Sequence, residues 1–398
     1  MVNNLIEYLQ DKKILILGFG AEGQSTYKFI RKHLKDKLLY IADKNENFNE
    51  KFEMLSEDTN LQIISGENYL ANLNDYDIIM KSPGISFRNI VNPTFIRKVK
   101  SQLELLLEFF DVYTIGVTGT KGKSTTSSLI YQILKEQNVD TLLLGNIGIP
   151  VFDYLDVIKE NMTLVLEMSS HQLQYMEKSP NISILLNIYE EHLDHYKSLT
   201  DYIEAKLNIF KYQKETDHFI YNIDNKLLNN GLKKHNVNSN KYEISFENRP
   251  SNSLNKTYFK DGYVYKNNKK LYNSSNTRKL LGTHNLSNIM FALTVSEILK
   301  LNLEKTINTI NNFEPLPHRM EFVGKFDDVL YYNDSIATIP ESTISTIEAL
   351  KNVNTLLIGG MDRGIDYEPF IQYLNDKKID NIICMPTTRT QYCKKNYK

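Results

Sequence analysis

Residues 113–126 read YTIGVTGTKGKSTT and carry the strongest indication of the fold. Its first five residues form the kind of apolar run that enters a sheet as a buried parallel strand, and residues 124–136 have the pattern of a helix. The segment between them is rich in glycine and ends in Lys123. In a strand–loop–helix of this kind, backbone N–H groups and the helix dipole both favour a phosphate anion. The sequence therefore predicts a nucleotide-binding α/β unit.

The same loop predicts roles for single residues. Lys123 is expected to contact the β- and γ-phosphates, and the Ser124 hydroxyl is expected to bind Mg²⁺. The general Walker pattern has glycine where Val117 stands, so one position departs from it. The alternative is a glycine-rich turn whose lysine is only solvated. We predict that the whole loop contacts the nucleotide, through Gly119, Thr120, Lys121, Gly122, Lys123, Ser124 and Thr125.

Strand and helix signals alternate on both sides of this unit, which indicates an α/β fold. Further strands are predicted at 13–17, 38–42, 77–80, 141–144, 164–167, 182–187, 329–333 and 355–360. The polar region 225–280 is interpreted as a small antiparallel elaboration. Pro315 and Pro317 mark a linker. We predict three domains, at residues 1–110, 111–314 and 315–398.

Composition excludes several classes of protein. The chain has 398 residues, 47 basic against 48 acidic, and a net charge of −1, so no basic excess indicates nucleic acid. No apolar run approaches the roughly 18 residues of a membrane span, and the N-terminus lacks the pattern of a secretory signal. Two cysteines are too few for a disulfide framework or a zinc site. We therefore expect a cytoplasmic protein.

Two polar clusters follow predicted strands downstream of the glycine loop. Glu167 ends one strand and opens the run EMSSHQL, and residues 187–195 read NIYEEHLDH after another. Ligands of open α/β sheets bind beyond the carboxyl ends of the strands. Carboxylates together with one histidine suit a Mg²⁺ ion that bridges phosphates better than a zinc cage. A single Glu or His has an ordinary structural explanation, but three such elements in matching positions favour a functional one.

A second glycine-rich loop lies near the N-terminus. Gly18, Gly20 and Gly23 form G-x-G-x-x-G after a strand, and Asp43 ends the next strand. This is the dinucleotide fingerprint, and by itself it fits NAD or FAD as well as another nucleotide diphosphate. An NAD-dependent dehydrogenase is therefore an alternative at this point, although it leaves the loop at 118–124 unexplained.

In combination the motifs resemble the Mur ligases of peptidoglycan synthesis, and among them the branch that adds glutamate. The similarity extends over residues 10–370. The motifs that carry it are T-G-T-x-G-K-S-T at 118–125, E-x-S-S at 167–170, N-x-x-x-E-H-L-D at 187–194 (with Glu191 where Asp is usual), G-x-H-N-x-x-N at 282–288, P-H-R-M-E at 317–321 and N-D-S at 333–335.

The resemblance implies an ATP-dependent ligase. Its substrates would be UDP-N-acetylmuramoyl-L-alanine, glutamate and ATP, and the carboxylate would be activated as an acyl phosphate. Catalysis is implied for Lys123, Glu167, His192 and a carbamylated Lys206. Two Mg²⁺ sites are implied, with Ser124, Glu167, His192 and Lys206 as ligands. A monomer is the family expectation.

The resemblance also assigns the three domains. The first would be a Rossmann-like domain that binds the UDP substrate, the second a P-loop ATP-binding domain, and the third a Rossmann-like domain. In this family the N-terminal glycine loop binds the UDP part of the substrate and not a redox cofactor. The implied UDP-substrate contacts are Gly18, Gly20, Gly23, Asp43, Ser82, Pro83, Gly84 and Asn146. The implied additional ATP contacts are Asn285, Asn288, Arg319 and Asp334.

Two features of the sequence depart from the family pattern. Arg363 stands where a glutamate-binding lysine is common, and we expect it to bind the glutamate carboxylate, since arginine can do so with two hydrogen bonds. D-glutamate is the expected amino acid and L-glutamate the alternative. The segment S-P-x-x-x-S-[FY], which in this family helps to bind glutamate and completes the third domain, is absent. We therefore expect an incomplete third domain, and the alternative function is a weakly active or inactive nucleotide-binding fragment.

Overall fold

A parallel five-stranded sheet is formed by the first part of the chain. The computed structural model describes residues 1–147, 149–251, 253–360, 367–377 and 379–385, without the side chain of Asn49. The strands are β1 (Ile14–Leu17), β2 (Leu39–Asp43), β3 (Leu61–Ser65), β4 (Ile78–Lys81) and β5 (Val99–Lys100), in the order β3-β2-β1-β4-β5. The helices are α1 (Val2–Gln10), α2 (Ala21–His33), α3 (Glu53–Ser56) and α4 (Gln102–Phe109). All four residues of β1 are buried, as expected of a strand covered on both faces, so this prediction is confirmed.

A nine-stranded sheet follows, with the order β14-β13-β12-β11-β10-β9-β6-β8-β7. Its strands are β6 (Tyr113–Thr118), β7 (Thr141–Gly145), β8 (Thr163–Glu167), β9 (Ile182–Leu185), β10 (His218–Asn222), β11 (Asn240–Ser245), β12 (Lys256–Lys260), β13 (Tyr263–Lys266) and β14 (Lys269–Asn273). Its helices are α5 (Lys123–Glu136), α6 (Ser170–Leu173), α7 (Leu199–Lys211) and α8 (Lys226–Leu232). The predicted antiparallel elaboration is right for β12–β14 and wrong for β11, which pairs in parallel with both β10 and β12.

These two sheets share one hydrophobic core. A single cluster of buried side chains includes Leu5 of α1, Leu106 of α4, Phe152, and Phe210 of α7. Residues 1–274 and 290–307 form one compact unit, and residues 275–289 and 308–398 form a second. The division into three domains stays a prediction.

The second unit contains shorter elements. A hairpin of β15 (Glu321–Phe326) and β16 (Val329–Asn333) is antiparallel, and β17 (Thr355–Ile358) pairs in parallel with β18 (Asn381–Cys384). The remaining α-helices of the described residues are α9 (Thr283–Ile298), α10 (Leu303–Asn312), α11 (Pro340–Leu350) and α12 (Glu368–Lys377). A small apolar core of its own packs α11 against α12. Within the described ranges, no helix combines the length and the apolar character that crossing a membrane requires.

Candidate active site

The glycine-rich loop joins β6 to α5 as the sequence predicts. The strand ends at Thr118 and the helix begins at Lys123. Gly122, at the helix N-cap, has a φ of 88°, a left-handed conformation that side chains with a Cβ disfavour. The chain therefore turns directly from the strand into the helix, whose N-terminus attracts phosphate.

Asn187, two residues beyond β9, holds this loop in place. Its carbonyl accepts a hydrogen bond from Thr120 N at 2.9 Å. Its side chain accepts from Lys121 N at 2.8 Å and donates to Lys121 O at 3.0 Å. Three bonds from one residue fix the loop against the neighbouring strand. Asn187 is the first residue of the motif N-x-x-x-E-H-L-D, and this role is not predicted from the sequence.

Helix α7 supports the loop from another side. Ser198 caps the helix by accepting a hydrogen bond from Asp201 N. Tyr202 and Lys206 lie on its buried face because they are one turn apart. The Tyr202 hydroxyl is 2.8 Å from Thr120 Oγ1, which also accepts from Tyr189 N at 3.0 Å. The Thr120 side chain thus connects the loop to α7 and to the segment that follows β9.

Two lysine side chains meet at one carbonyl of the loop. Lys206 Nζ donates to Gly119 O at 2.9 Å, and Lys123 Nζ donates to the same oxygen at 2.9 Å and to Thr120 O at 3.1 Å. Lys206 is 2% exposed. Burial first, and then the nearby positive charge of Lys123, holds the pKa of Lys206 well below the usual range of a lysine. The site therefore contains a buried amine with a lowered pKa, next to the lysine that is predicted to bind phosphate.

Glu167 lies at the carboxyl end of β8, beside the end of β6, where Val117 pairs with it. The side chain is 1% exposed. Asn146 Nδ2 donates to its Oε1 at 2.9 Å, whereas Oε2 is buried without a hydrogen-bond partner among the described residues. A carboxylate oxygen in such a position lacks the partner that buried charge requires. Asn146 thus positions Glu167, and its predicted contact with substrate stays a prediction.

His192 adds an imidazole beside these groups. Its backbone has a φ of 60°, a left-handed conformation that is uncommon outside glycine. Burial lowers the pKa of His192, and the nearby Lys206 lowers it further, although Glu191 opposes this effect. Lys121 Nζ lies 3.2 Å from Glu191 Oε1, so the glutamate at the usual aspartate position binds the loop lysine. The imidazole is mainly neutral at pH 7 and can therefore act as a metal ligand.

Contacts with neighbouring elements also hold the N-terminal glycine loop in place. A Cβ on Gly23 would lie 2.1 Å from Gly18 O, so only glycine allows α2 to approach β1 this closely. Asp43 Oδ2 accepts a hydrogen bond from Phe19 N at 2.8 Å, and Ser82 Oγ donates to Gly18 O at 2.8 Å. The loop, Asp43 and the Ser82 turn are therefore brought together, and their contacts with the UDP substrate stay predictions. Gly20 forms the N-cap of α2, and Pro83 and Gly84 continue the turn after Ser82.

The other predicted nucleotide contacts lie in the second unit. Asn285 Nδ2 donates to Leu281 O at 2.7 Å, and Asn288 Nδ2 donates to Asn285 Oδ1 at 3.1 Å. Asp334 accepts from Met320 N at 2.9 Å and from the Thr346 hydroxyl at 2.7 Å.

These contacts of the second unit order the segments that carry Arg319 and Asp334, whose ATP contacts stay predictions. Arg363, the predicted glutamate ligand, lies outside the described residues.

Comparison with known proteins shows the family of this chain. Residues 117–296 match the family model of the Mur ligase middle domain. The UDP-N-acetylmuramoylalanine–D-glutamate ligase of Clostridium botulinum strain Loch Maree is 32% identical over 397 residues, which cover 97% of this chain and 83% of that protein. The chain belongs to the Mur ligase family. The resemblance found in the sequence is thereby confirmed, and the dehydrogenase and inactive-fragment alternatives are not favoured.

Solved structures of Mur ligases share the fold. UDP-N-acetylmuramate–alanine ligase MurC of Thermotoga maritima superposes with a TM-score of 0.59 at 18% identity, covering 94% of this chain and 85% of that one. MurF of Acinetobacter baumannii gives a TM-score of 0.61 at 13% identity, covering 96% and 84%. At these identities the likeness shows the architecture alone, and it confirms the predicted α/β fold.

Proposed function

We propose that this Mur ligase joins D-glutamate to UDP-N-acetylmuramoyl-L-alanine with hydrolysis of ATP to ADP and phosphate. The observation that carries the proposal is the convergence of Lys123, Lys206 and Glu167 at the loop between β6 and α5. The curated relative with 32% identity carries this activity in its name, which also favours D- over L-glutamate.

The proposed reaction begins with transfer of the γ-phosphoryl group to the substrate carboxylate. Both reactants are anions, so positive charge is required where they meet, and Lys123 provides it. The glutamate amine then attacks the acyl carbon, loses a proton, and expels inorganic phosphate. Asn187 contributes by holding the loop rigid, since misplacement of a charged group by about 1 Å is costly in rate.

The residues present fit a Mg²⁺ ion. The buried Oε2 atom of Glu167 lacks a partner in the described residues, and the Ser124 hydroxyl stands in the first turn of α5. We propose Ser124, Glu167, His192 and a carbamylated Lys206 as ligands in two sites. Oxygen ligands of this kind suit Mg²⁺. When bound, Mg²⁺ neutralises the charge that develops on the phosphoryl oxygens.

Carbamylation of Lys206 is proposed on chemical grounds. A neutral amine can attack CO₂ to form an N–C bond and release a proton, whereas an ammonium cannot. Burial keeps Lys206 deprotonated at pH 7 more readily than an ordinary lysine. The product is an anion beside the Lys123 ammonium, which stabilises it.

The remaining assignments are proposed with the function. Residues 1–110, 111–314 and 315–398 form the UDP-substrate, ATP and glutamate domains. Gly18, Gly20, Gly23 and Asp43 line the UDP diphosphate and uracil. The enzyme acts as a cytoplasmic monomer.

The decisive assay measures phosphate release with ATP, Mg²⁺ and UDP-N-acetylmuramoyl-L-alanine, with D- or L-glutamate as the acceptor. Release that requires both the UDP substrate and D-glutamate supports the proposal. Release that requires L-glutamate would correct the stereochemistry. ATP binding without release in the presence of either isomer would refute the ligase.

A further inference from the structure

Lys81 is a buried lysine that the reaction described above does not use. It is the last residue of β4, next to the turn that begins at Ser82, and it is 6% exposed. Its strand position pairs with Leu17, immediately before the N-terminal glycine loop. The side chain therefore starts at the edge of the sheet where the UDP substrate is proposed to bind.

The Lys81 ammonium lacks a close counterion. Among the described residues, its Nζ donates to the carbonyls of Ser82 and Pro83, at 3.3 and 3.4 Å, both longer than the usual bond of an ammonium. Across the ranges the structure describes, it forms no ion pair with a carboxylate. A buried charge is normally paired, because removing an isolated ion from water is costly unless an opposite charge compensates for the lost hydration.

The groups around Lys81 come from both sheets. Its Nζ lies 6.0 Å from the ring of Phe87 and 5.9 Å from the ring of Tyr175, which follows α6. Burial is the main cause that lowers the pKa of His171 to about 3 and that of His195 to about 4, and the charge of Lys81 contributes to both shifts. His171 Nε2 is buried and has no hydrogen-bond partner among the described residues. Positive potential and an unpartnered ring nitrogen thus occur together.

One carboxylate, that of Glu22, lies near the Lys81 ammonium but does not form an ion pair with it. Glu22, in the first turn of α2, raises the pKa of Lys81, yet its Oε1 accepts a hydrogen bond from Gln172 Nε2 at 2.7 Å. Gln172 belongs to the run that starts at Glu167. Glu22 therefore binds a side chain of α6 and forms no ion pair with Lys81 among the described residues.

We propose that Lys81 is a substrate-binding residue, which supplies its ammonium to an anionic oxygen of the UDP-linked substrate. The inference rests on the proposed function. The oxygen belongs either to the diphosphate or to the carboxylate of the substrate, because either anion can form an ion pair with the Lys81 ammonium.

The test compares Lys81→Met with the wild type by calorimetric titration. Two probes separate the sources of the anion: UDP-N-acetylglucosamine carries the diphosphate without the carboxylate, and UDP-N-acetylmuramoyl-L-alanine carries both. Loss of a hydrogen-bonded charge weakens binding about 10–100-fold. Lys81→Arg retains the charge and should recover part of the affinity, and Lys81→Gln serves if the methionine variant does not fold.

Lys13→Met is the matched control. Lys13 lies over the rings of Tyr40 and Tyr76, at 4.9 and 5.0 Å, before the opposite end of β1. This variant should bind both probes as the wild type does.

The outcomes are distinct. Weaker binding of both probes assigns the diphosphate, and weaker binding of the acid-bearing probe alone assigns the carboxylate. Unchanged affinity for both probes, or an equal loss of ATP affinity, would overturn the role of Lys81. If the wild type binds neither probe, the proposed function itself fails.

Discussion

Replacement of Lys206 by alanine is the sharpest test of the ATP site. The substitution removes a buried amine that contacts Gly119 O at 2.9 Å, the same carbonyl that Lys123 contacts. If the carbamate forms there, the variant lacks one preorganised anion, and such losses reduce kcat by about 100–1,000-fold. We expect that decrease in phosphate release at saturating substrates.

The alanine variant should also be rescued in part by acetate or formate. Alanine leaves the space of the lysine side chain open, because Lys206 is 2% exposed and its side chain fills the space between α7 and the loop. A short carboxylic acid can bring its carboxylate into that space. Lys206→Met fills the same volume and should show the same loss without rescue.

The control lies on the same helix. Lys211 Nζ is 2.7 Å from Glu204 Oε2 at a partly exposed position, and such ion pairs contribute about 0–1 kcal/mol. Lys211→Ala should therefore turn over at the wild-type rate. Near-wild-type turnover in Lys206→Ala, or equal rescue of Lys206→Met, would remove the carbamate from the mechanism.

Three further predictions follow from single contacts. Asn187→Ala should raise the KM for ATP by about tenfold, since two side-chain hydrogen bonds to the loop are lost; Asn181→Ala, which loses bonds to Thr114 at the other end of β6, should lower the melting temperature with KM unchanged. Glu167→Gln should reduce kcat by about 100–1,000-fold without lowering thermal stability, because it neutralises a carboxylate whose Oε2 is unpartnered in the described residues; wild-type kcat would exclude the Mg²⁺ role. Lys81 has a folded pKa of about 8, below the ordinary value of 10.5, so the native state binds fewer protons than the unfolded chain between these values; wild-type stability should therefore rise relative to Lys81→Met by about 2 kcal/mol from pH 7 to pH 10 in urea unfolding, and a constant difference would contradict the lowered pKa.

The local part of the site could be predicted from the sequence. A strand, a glycine turn and a helix follow one another in the chain, so the pattern at 113–136 specifies both the loop and the position of Lys123. Glu167 was predicted for the same reason, because it ends a recognisable strand.

The supporting contacts could not be predicted in this way. Asn187 reaches the loop from 66 residues away in sequence, and the bond between Thr120 and Tyr202 spans 82 residues. Such pairs depend on strand order, which hydrophobic periodicity does not determine. The direction of β11 was missed for the same reason, since alternation of side chains is identical in parallel and antiparallel strands.

The shared core of the first two sheets has a mechanical consequence. Leu5 and Leu106 belong to the same buried cluster as Phe210 of the helix that carries Lys206. The N-terminal glycine loop and the loop between β6 and α5 are therefore anchored in one cooperatively folding unit. The distance between the two loops is fixed when that unit folds. Amides of α1 and α7 should exchange with solvent together, through the same opening event. A substitution that leaves a cavity beneath α1 would then also destabilise the loop between β6 and α5, although the candidate site contains no residue of α1.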